Sequence, residues 1–437
     1  MKAGRIFIAL LLTVGVTGAL VTGADIYSRF LYLGIFLAAG FWGWMFWVAR
    51  GLRLSRNARI LRANVGDFFE EHFEVVNGSR VLAPWIEVFN QSTIPYASGS
   101  RLLTLVPGRQ KRRYLARTWL TRRGAFTLGP TRISTGDLFG LFRSSKEVAS
   151  TQTLIVLPLL FEIKSFLFPP GLLPGGQVIR RKSTDITPHA AGVREYIHGD
   201  AMKRIHWPTS IRRNQLMVKE FEQDPQAEVW LYLDLQNDAH HEKPHQYEQV
   251  PTESIFFGRR PDFKLPPSSL EYAISITASL AHYFIAQRRA VGYASAGQAF
   301  TVHHAERGER QEGKILETLA FVEANGNLSI AALVAAQASQ LPQGSTAILV
   351  TPSIRPDLLQ AVDDLQRRHL RPVVILIDIE TFGGARGTAK ITRSLQERHV
   401  PVCAIVCDDD LAQALSKLST DFISQETRTW QNPILLH

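Results

Sequence analysis

Two long apolar runs open the chain. Residues Ile6 to Val21 and Phe30 to Val48 are apolar or small, and the charges Asp25 and Arg29 are confined to the gap between them. At about 1.5 Å per helical residue the second run reaches roughly 28 Å, nearly a hydrocarbon core, and the first is long enough when carried to Gly23. The pattern predicts a transmembrane helical hairpin over 1–50. A secretory signal peptide competes for the first run, since Lys2 and Arg5 precede it. The second run follows so closely that even a cleaved product would stay anchored.

After the hairpin, 51–64 reads as a basic juxtamembrane linker carrying Arg53, Arg56, Arg59 and Arg62. With Arg50, Lys2 and Arg5 on the same side and only Arg29 in the connecting loop, the positive-inside rule puts both termini in the cytoplasm. Trp42, Trp44 and Trp47 fall late in the second run, where indoles favour the interface.

Over 65–165 the period changes to two. Phe73 to Val76, Trp85 to Phe89, Arg101 to Val106, Tyr114 to Leu120 and Phe126 to Leu128 are short alternating runs broken by turns such as Asn77-Gly78, which predicts a small antiparallel β-sandwich. The segment 166–225 begins rich in proline and glycine, from Phe168 to Gly176, and marks a boundary. Over 226–437, continuous apolar runs (Val229 to Leu233, Ala347 to Val350, Val373 to Ile377, Val402 to Val406) alternate with helical patterns at Leu270 to Arg288, Lys314 to Glu323, Ile330 to Ser339, Pro356 to His369 and Asp409 to Leu418. Strands buried on both faces give such runs, so a doubly wound α/β domain is expected, and an α+β multidomain chain overall.

Composition adds little to this. A net charge of +10 suits an anionic membrane surface, an acidic partner or nucleic acid equally. Arg109, Lys111, Arg112, Arg113, Arg117, Arg122 and Arg123 lie near the tether, within reach of anionic headgroups; sparse aromatic interleaving argues against nucleic acid. Cys403 and Cys407, on one predicted strand, would sit about 13 Å apart and stay reduced.

Two passages resemble the bacterial domain-of-unknown-function family 58. The first runs Arg123-Gly124-Ala125-Phe126-Thr127-Leu128-Gly129-Pro130 and on through Asp137-Leu138-Phe139-Gly140-Leu141-Phe142, with Leu138 where the family has proline. The second is the family hallmark: Arg194, Tyr196, Gly199, Asp200, Arg204, Ile205, Trp207, Ser210, Arg212, Leu216, Val218, Lys219 and Glu220 match it in order and spacing. The resemblance implies a bacterial inner-membrane protein with a von Willebrand factor A-like C-terminal domain. It also implies association with a MoxR-type AAA+ ATPase and a transglutaminase-like membrane protein.

In the hallmark, Asp200 among Arg194, Arg204, Arg212 and Lys219 is expected to form a buried ion-pair network covered by Trp207, with a partner surface as the second reading. The A-domain resemblance implies a divalent-metal loop after the first strand. Here Asp234 is in place but Gln236 and Asp238 replace two serines, and Thr351 and Asp378 stand at later strand ends. These oxygens could take Mg²⁺, though the set is degenerate. Gly308 to Ile315 imitates a phosphate-binding loop but lacks its Ser or Thr and carries Glu309 and Glu312, so it is rejected. His240, His241, Glu242 and His245 are expected to be a solvated cluster in a mobile insertion. The reading is a non-enzymatic membrane-anchored scaffold or adaptor that works with the ATPase in assembly or maturation of envelope or metal-dependent complexes. The alternative is a metal-dependent hydrolase using Asp234 and Asp238, for which no nucleophile or base is apparent.

Overall fold

The computed structural model describes residues 2–149, 152–166, 190–196, 205–221, 228–245 and 263–418. These fall into two compact units, 1–160 with 245–266 and 316–322, and 161–244 with 267–315 and 323–437. The first boundary lies just ahead of the expected proline- and glycine-rich segment, much of which is outside the described residues.

The two apolar runs are helices α1 (Lys2–Thr22) and α2 (Asp25–Gly51). Only 6% and 11% of their spanning positions are buried, the reverse of a core helix in a soluble protein. They pack on each other through small residues: a Cβ on Gly15 would lie 2.8 Å from the Leu31 backbone nitrogen. Close helix approach of this kind is how helices associate in lipid, where no hydrophobic drive separates protein from solvent.

The expected basic linker is absent as such. Helix α2 runs directly into β1 (Leu52–Ala58), and β2 (Arg62–Asn64) follows. Leu52, Leu54 and Ala58 face inward, and the residues between them face out except Arg56. The Arg56 guanidinium is buried and pairs with the fully buried Glu71 carboxylate of β3 (Phe68–Asn77). Val48 at the end of α2 belongs to the same core as Leu52, Phe73 and Ile86, and the Trp44 indole donates to the Leu82 carbonyl at 2.8 Å. The tether is therefore continuous with the domain it carries.

That domain has three sheets, with β4 (Ala83–Asn90), β5 (Arg101–Val106), β6 (Gln110–Trp119), β7 (Gly124–Thr127), β8 (Thr131–Gly136), β9 (Arg143–Val148) and β10 (Thr153–Leu157) in the orders β1-β3-β6, β5-β4-β8-β9 and β2-β10-β7. Pairing is antiparallel except between β10 and β2, which run parallel, a departure from the expected antiparallel sandwich. One core lies around Phe73, Ile86 and Ile133, another around Phe69, Leu128 and Leu154. The basic stretch of β6 is partly neutralised: Arg113 pairs with Glu74 at 2.5 Å and Arg117 with Glu70 at 2.8 Å across β3. Such exposed pairs contribute little stability but reduce the charge offered to headgroups.

The second unit begins with a hairpin of β11 (Ala190–Glu195) and β12 (Met217–Phe221), with α3 (Trp207–Arg213) between them. Its main sheet contains β13 (Val229–Leu233), β14 (Val291–Ala296), β15 (Phe300–Glu306), β16 (Thr346–Thr351), β17 (Arg371–Ile377) and β18 (Val402–Ile405) in the order β15-β14-β13-β16-β17-β18. All pairings are parallel except β14 with β15. Its helices include α4 (Ser269–Ala286), α5 (Glu309–Phe321) as far as Ile315, α6 (Ile330–Gln337), α7 (Asp357–Arg367) and α8 (Thr388–Glu397). Trp230, Tyr232, Leu349 and Val374 share one core with α6, α7 and α8 residues, and the alternate residues Leu231, Leu233, Ile348 and Ile375 are buried too. Burial of both faces explains the unbroken apolar runs. Strand β14 escaped the sequence reading because its residues are small, and Gly292 must be: a Cβ there would lie 2.6 Å from the Trp230 indole.

Cys403 is buried in β18, whereas Cys407 lies past the strand end; both are free thiols. Burial pushes the Cys403 thiol up to about 12, which keeps it protonated and unreactive.

Candidate functional site

In an open parallel sheet, ligands gather where the strand order reverses direction, outside the carboxyl ends of the strands. Here that point lies between β13 and β16, since the chain leaves β13 toward β14 on one side and returns to β16 on the other. Asp234 stands one residue past β13, pinned by its backbone N–H to the Val350 carbonyl at 3.0 Å. Its carboxylate is buried, and both oxygens are engaged: Oδ2 accepts from the Thr351 hydroxyl at 2.6 Å, and Oδ1 from the Gln236 backbone N–H at 3.0 Å. Thr351 Oγ1 in turn accepts from the Ser353 N–H at 2.9 Å. Burial raises the Asp234 carboxyl from 3.8 to about 6, against the opposing pull of these hydrogen bonds.

His240 completes the arrangement and corrects the expectation of a solvated histidine cluster. Its Nε2 lies 2.9 Å from the Asp234 carbonyl oxygen, which can only accept, so Nε2 carries the proton. Nδ1 then accepts from Ser269 Oγ at 3.1 Å, and that oxygen accepts from the His241 N–H at 2.9 Å. Burial lowers His240 to about 4, so the ring is neutral at physiological pH. The backbone of 241–243 pairs back onto 267–269 rather than looping freely. Residues 246–262 of the insertion lie outside the described residues.

Gly326 sets the course of the loop after β13. Its N–H donates to the Leu235 carbonyl and its carbonyl accepts from the Asn237 N–H, each at 3.0 Å. An added Cβ would fall 2.1 Å from the Ala296 carbonyl oxygen. Gly326→Ala is expected to displace this loop and destabilise the unit by about 1–3 kcal/mol. Thermal unfolding of the detergent-solubilised chain checks this, and an unchanged midpoint would contradict it.

Of the predicted metal set, Asp234 and Thr351 are thus in direct contact, Gln236 is buried with Oε1 lacking a partner, and Asp238 is exposed in a 3-10 turn, Asn237–Ala239. Asp378 is occupied elsewhere: its Oδ1 accepts from Thr388 Oγ1 at 2.7 Å and from the Glu380 N–H at 3.2 Å. The oxygens are of the hard type that Mg²⁺ takes. Yet the Asp234 and Thr351 oxygens are committed to protein hydrogen bonds, and among the described residues no three His, Cys, Asp or Glu side chains gather as ligands. The set fits a hydrogen-bonded crevice better than a cation site.

The imitation phosphate loop is also resolved. Gly313 and Lys314 lie inside α5 rather than ahead of it, Ile315 is fully buried, and Lys314 pairs with Glu306 at 2.9 Å.

In the hallmark segment, Ser210 is buried and ties α3 to β12: Oγ donates to the His206 carbonyl at 3.0 Å and accepts from the Met217 N–H at 2.9 Å. Ile205 and Val218 are buried, the Tyr196 N–H reaches the Leu216 carbonyl at 2.8 Å, and Arg212 is exposed. Trp207 is 59% exposed, and Ile211 one turn on is 77% exposed. Gly199, Asp200 and Arg204, and the side chains of Arg194, Lys219 and Glu220, lie outside the described residues, so the expected ion-pair network does too.

Comparisons agree with the family resemblance. Residues 192–249 match the family model described as protein of unknown function DUF58. The uncharacterized protein YeaD of Bacillus subtilis is 25% identical over 203 residues, 46% of this chain and 43% of its own length. Among solved structures, an aerotolerance-related membrane protein from Bacteroides fragilis aligns over 46% of this chain and 99% of its own at 15% identity, with a TM-score of 0.30. Proximal thread matrix protein 1 from the mussel byssus aligns over 45% of this chain and 47% of its own at 13% identity, with a TM-score of 0.28. Superpositions at such scores carry no argument about shape or activity.

Proposed function

For a chain that carries the DUF58 segment behind an apolar helical hairpin, we propose a membrane-anchored adaptor that presents its second unit to a MoxR-type AAA+ ATPase in the cytoplasm. The observation that carries this reading is the apolar face of α3 inside the family segment. Trp207 and Ile211 are one helical turn apart and both open, on a helix held in place by the buried Ser210. Exposed tryptophan beside an aliphatic residue is typical of the few positions that dominate a protein interface. The strand order and the crevice past β13 support a von Willebrand factor A-like second unit in which the metal loop has become a hydrogen-bonded corner. The arginines around both inner helix ends support an inner-membrane location with both termini cytoplasmic.

A photo-crosslinking residue at Ile211 in membranes is expected to capture an AAA+ ATPase, and Trp207→Ala to cut the yield about tenfold at unchanged protein level. Equal capture from both, or capture of no ATPase, would sink the adaptor reading. The hydrolase alternative rests on the unpartnered Gln236 Oε1 beside Asp234. Titration calorimetry with Mg²⁺ and Mn²⁺ addresses it: heat that vanishes in Asp234→Ala would favour that alternative, and the adaptor reading expects none.

A further inference from the structure

The turn 137–142, singled out in the sequence for its likeness to the family's hairpin, has no part in the adaptor reading. Leu138 and Phe139 at its tip are both 62% exposed. It is nevertheless fastened to the helical hairpin: the Phe139 ring meets Phe41 of α2 edge-on at 5.0 Å, and Arg5 Nε of α1 donates to the Leu141 carbonyl at 2.8 Å.

The position of those anchors along the helices fixes the depth. Phe41 lies 16 residues from Asp25 and Arg5 lies 17 from Thr22, so each stands about 25 Å from the hairpin bend at about 1.5 Å per residue. A hydrocarbon core is about 30 Å thick. The anchors thus fall at the inner edge of the apolar layer, level with the half-exposed Trp42 indole of the interfacial belt.

Backbone near lipid must satisfy its own polar groups, and five of the six N–H groups of this turn find acceptors within it. The buried Asp137 carboxylate accepts the N–H groups of Phe139, Leu141 and Phe142 at 2.9, 3.2 and 2.6 Å. The Asp137 N–H bonds the Phe142 carbonyl, and the Gly140 N–H the Asp137 carbonyl. Gly140 permits this closure at a φ of +69°. A turn that faces water has no need for two neighbouring large apolar side chains open at its apex.

We propose that the 137–142 turn is a third membrane contact, with Leu138 and Phe139 inserted among the lipids at the cytoplasm-facing boundary of the two helices. The occupant is the bilayer itself, continuous with the lipid around α1 and α2. The inference rests on the membrane tether and is independent of the adaptor role. By wedging the sandwich at a second point, the turn would hold the first unit at a fixed tilt to the membrane plane.

The test uses the full chain with Cys403→Ala and Cys407→Ser, reconstituted in phosphatidylcholine–phosphatidylglycerol vesicles. An environment-sensitive fluorophore is placed on a single cysteine at Leu138, at Phe36 in mid-span, or at Lys146 in the exposed strand β9. Leu138 is expected to be quenched by a nitroxide near the headgroups at least threefold more than Lys146, and to be shielded from aqueous iodide by a similar factor. Iodide access at Leu138 equal to that at Lys146, with Phe36 quenched by lipid nitroxide, would overturn the wedge while leaving the tether intact. Shielding from iodide without lipid quenching would mean a protein cover and would equally overturn it. Failure of lipid quenching at Phe36 would remove the tether and the wedge together.

Discussion

Arg56→Ala is expected to cost about 3–5 kcal/mol of stability, because it strands a carboxylate inside the sandwich. Glu71 is fully buried, Arg56 nearly so, and the guanidinium also reaches Thr131 and stacks over Phe73. Burial already raises Glu71 above the ordinary carboxylate range despite the attraction of Arg56. The pair is therefore an arrangement in which desolvation outweighs attraction, and it matters chiefly because neither partner tolerates loss of the other. Removing Arg56 deletes both lowering influences. In that variant the folded state holds the Glu71 proton more tightly than the unfolded state does, so stability should rise as the pH falls through the raised folded-state value. The double variant Arg56→Met with Glu71→Leu should recover most of the loss. Near-ultraviolet circular dichroism melts in mild detergent distinguish these cases; a single variant as stable as the parent would contradict the account.

The second large effect is hidden in the parent protein. Asp234 is raised from 3.8 to about 6, so its protonated form is favoured by folding, and it removes stability as pH rises through that window. His240 is lowered from 6.5 to about 4, so its neutral form is favoured, and it removes stability as pH falls through an overlapping window. Each shift corresponds to roughly 3 kcal/mol. The two oppose each other, and their combined contribution should be nearly flat between pH 4 and 6.5. Asp234→Asn retains an amide that can serve Gln236 and Thr351, removes the first term, and should expose a loss of stability on acidification worth about 3 kcal/mol. His240→Gln should expose the opposite slope. Denaturant unfolding at several pH values measures both, and parallel profiles for parent and Asp234→Asn would refute the compensation.

How much of this could be read from the chain alone depended on how local each signal was. The apolar runs of β13, β16 and β17 and the two N-terminal helices announced themselves because burial on both faces, or in lipid, leaves no alternation to interpret. Strand β1 did alternate, but its arginines beside a membrane helix read as a linker; the acceptor that makes Arg56 an inward residue is Glu71 on the next long strand. The parallel pairing of β2 with β10 joins residues that the sequence places far apart. At the crevice, Asp234 and Thr351 were legible as strand-end positions. His240 was not, since its partners are a backbone carbonyl and Ser269, and neither leaves a motif. The hallmark spacing agrees with the family model that matches residues 192–249, but it could not show that Trp207 faces outward.

Everything proposed for the second unit depends on which side of the bilayer it occupies. A carboxyl-terminal tag on the full chain, probed with protease in spheroplasts of a bacterial host, answers this most directly. The tag should survive in intact spheroplasts and be digested once they are permeabilised. Digestion from outside intact cells would reverse the topology and remove the cytoplasmic ATPase as a partner.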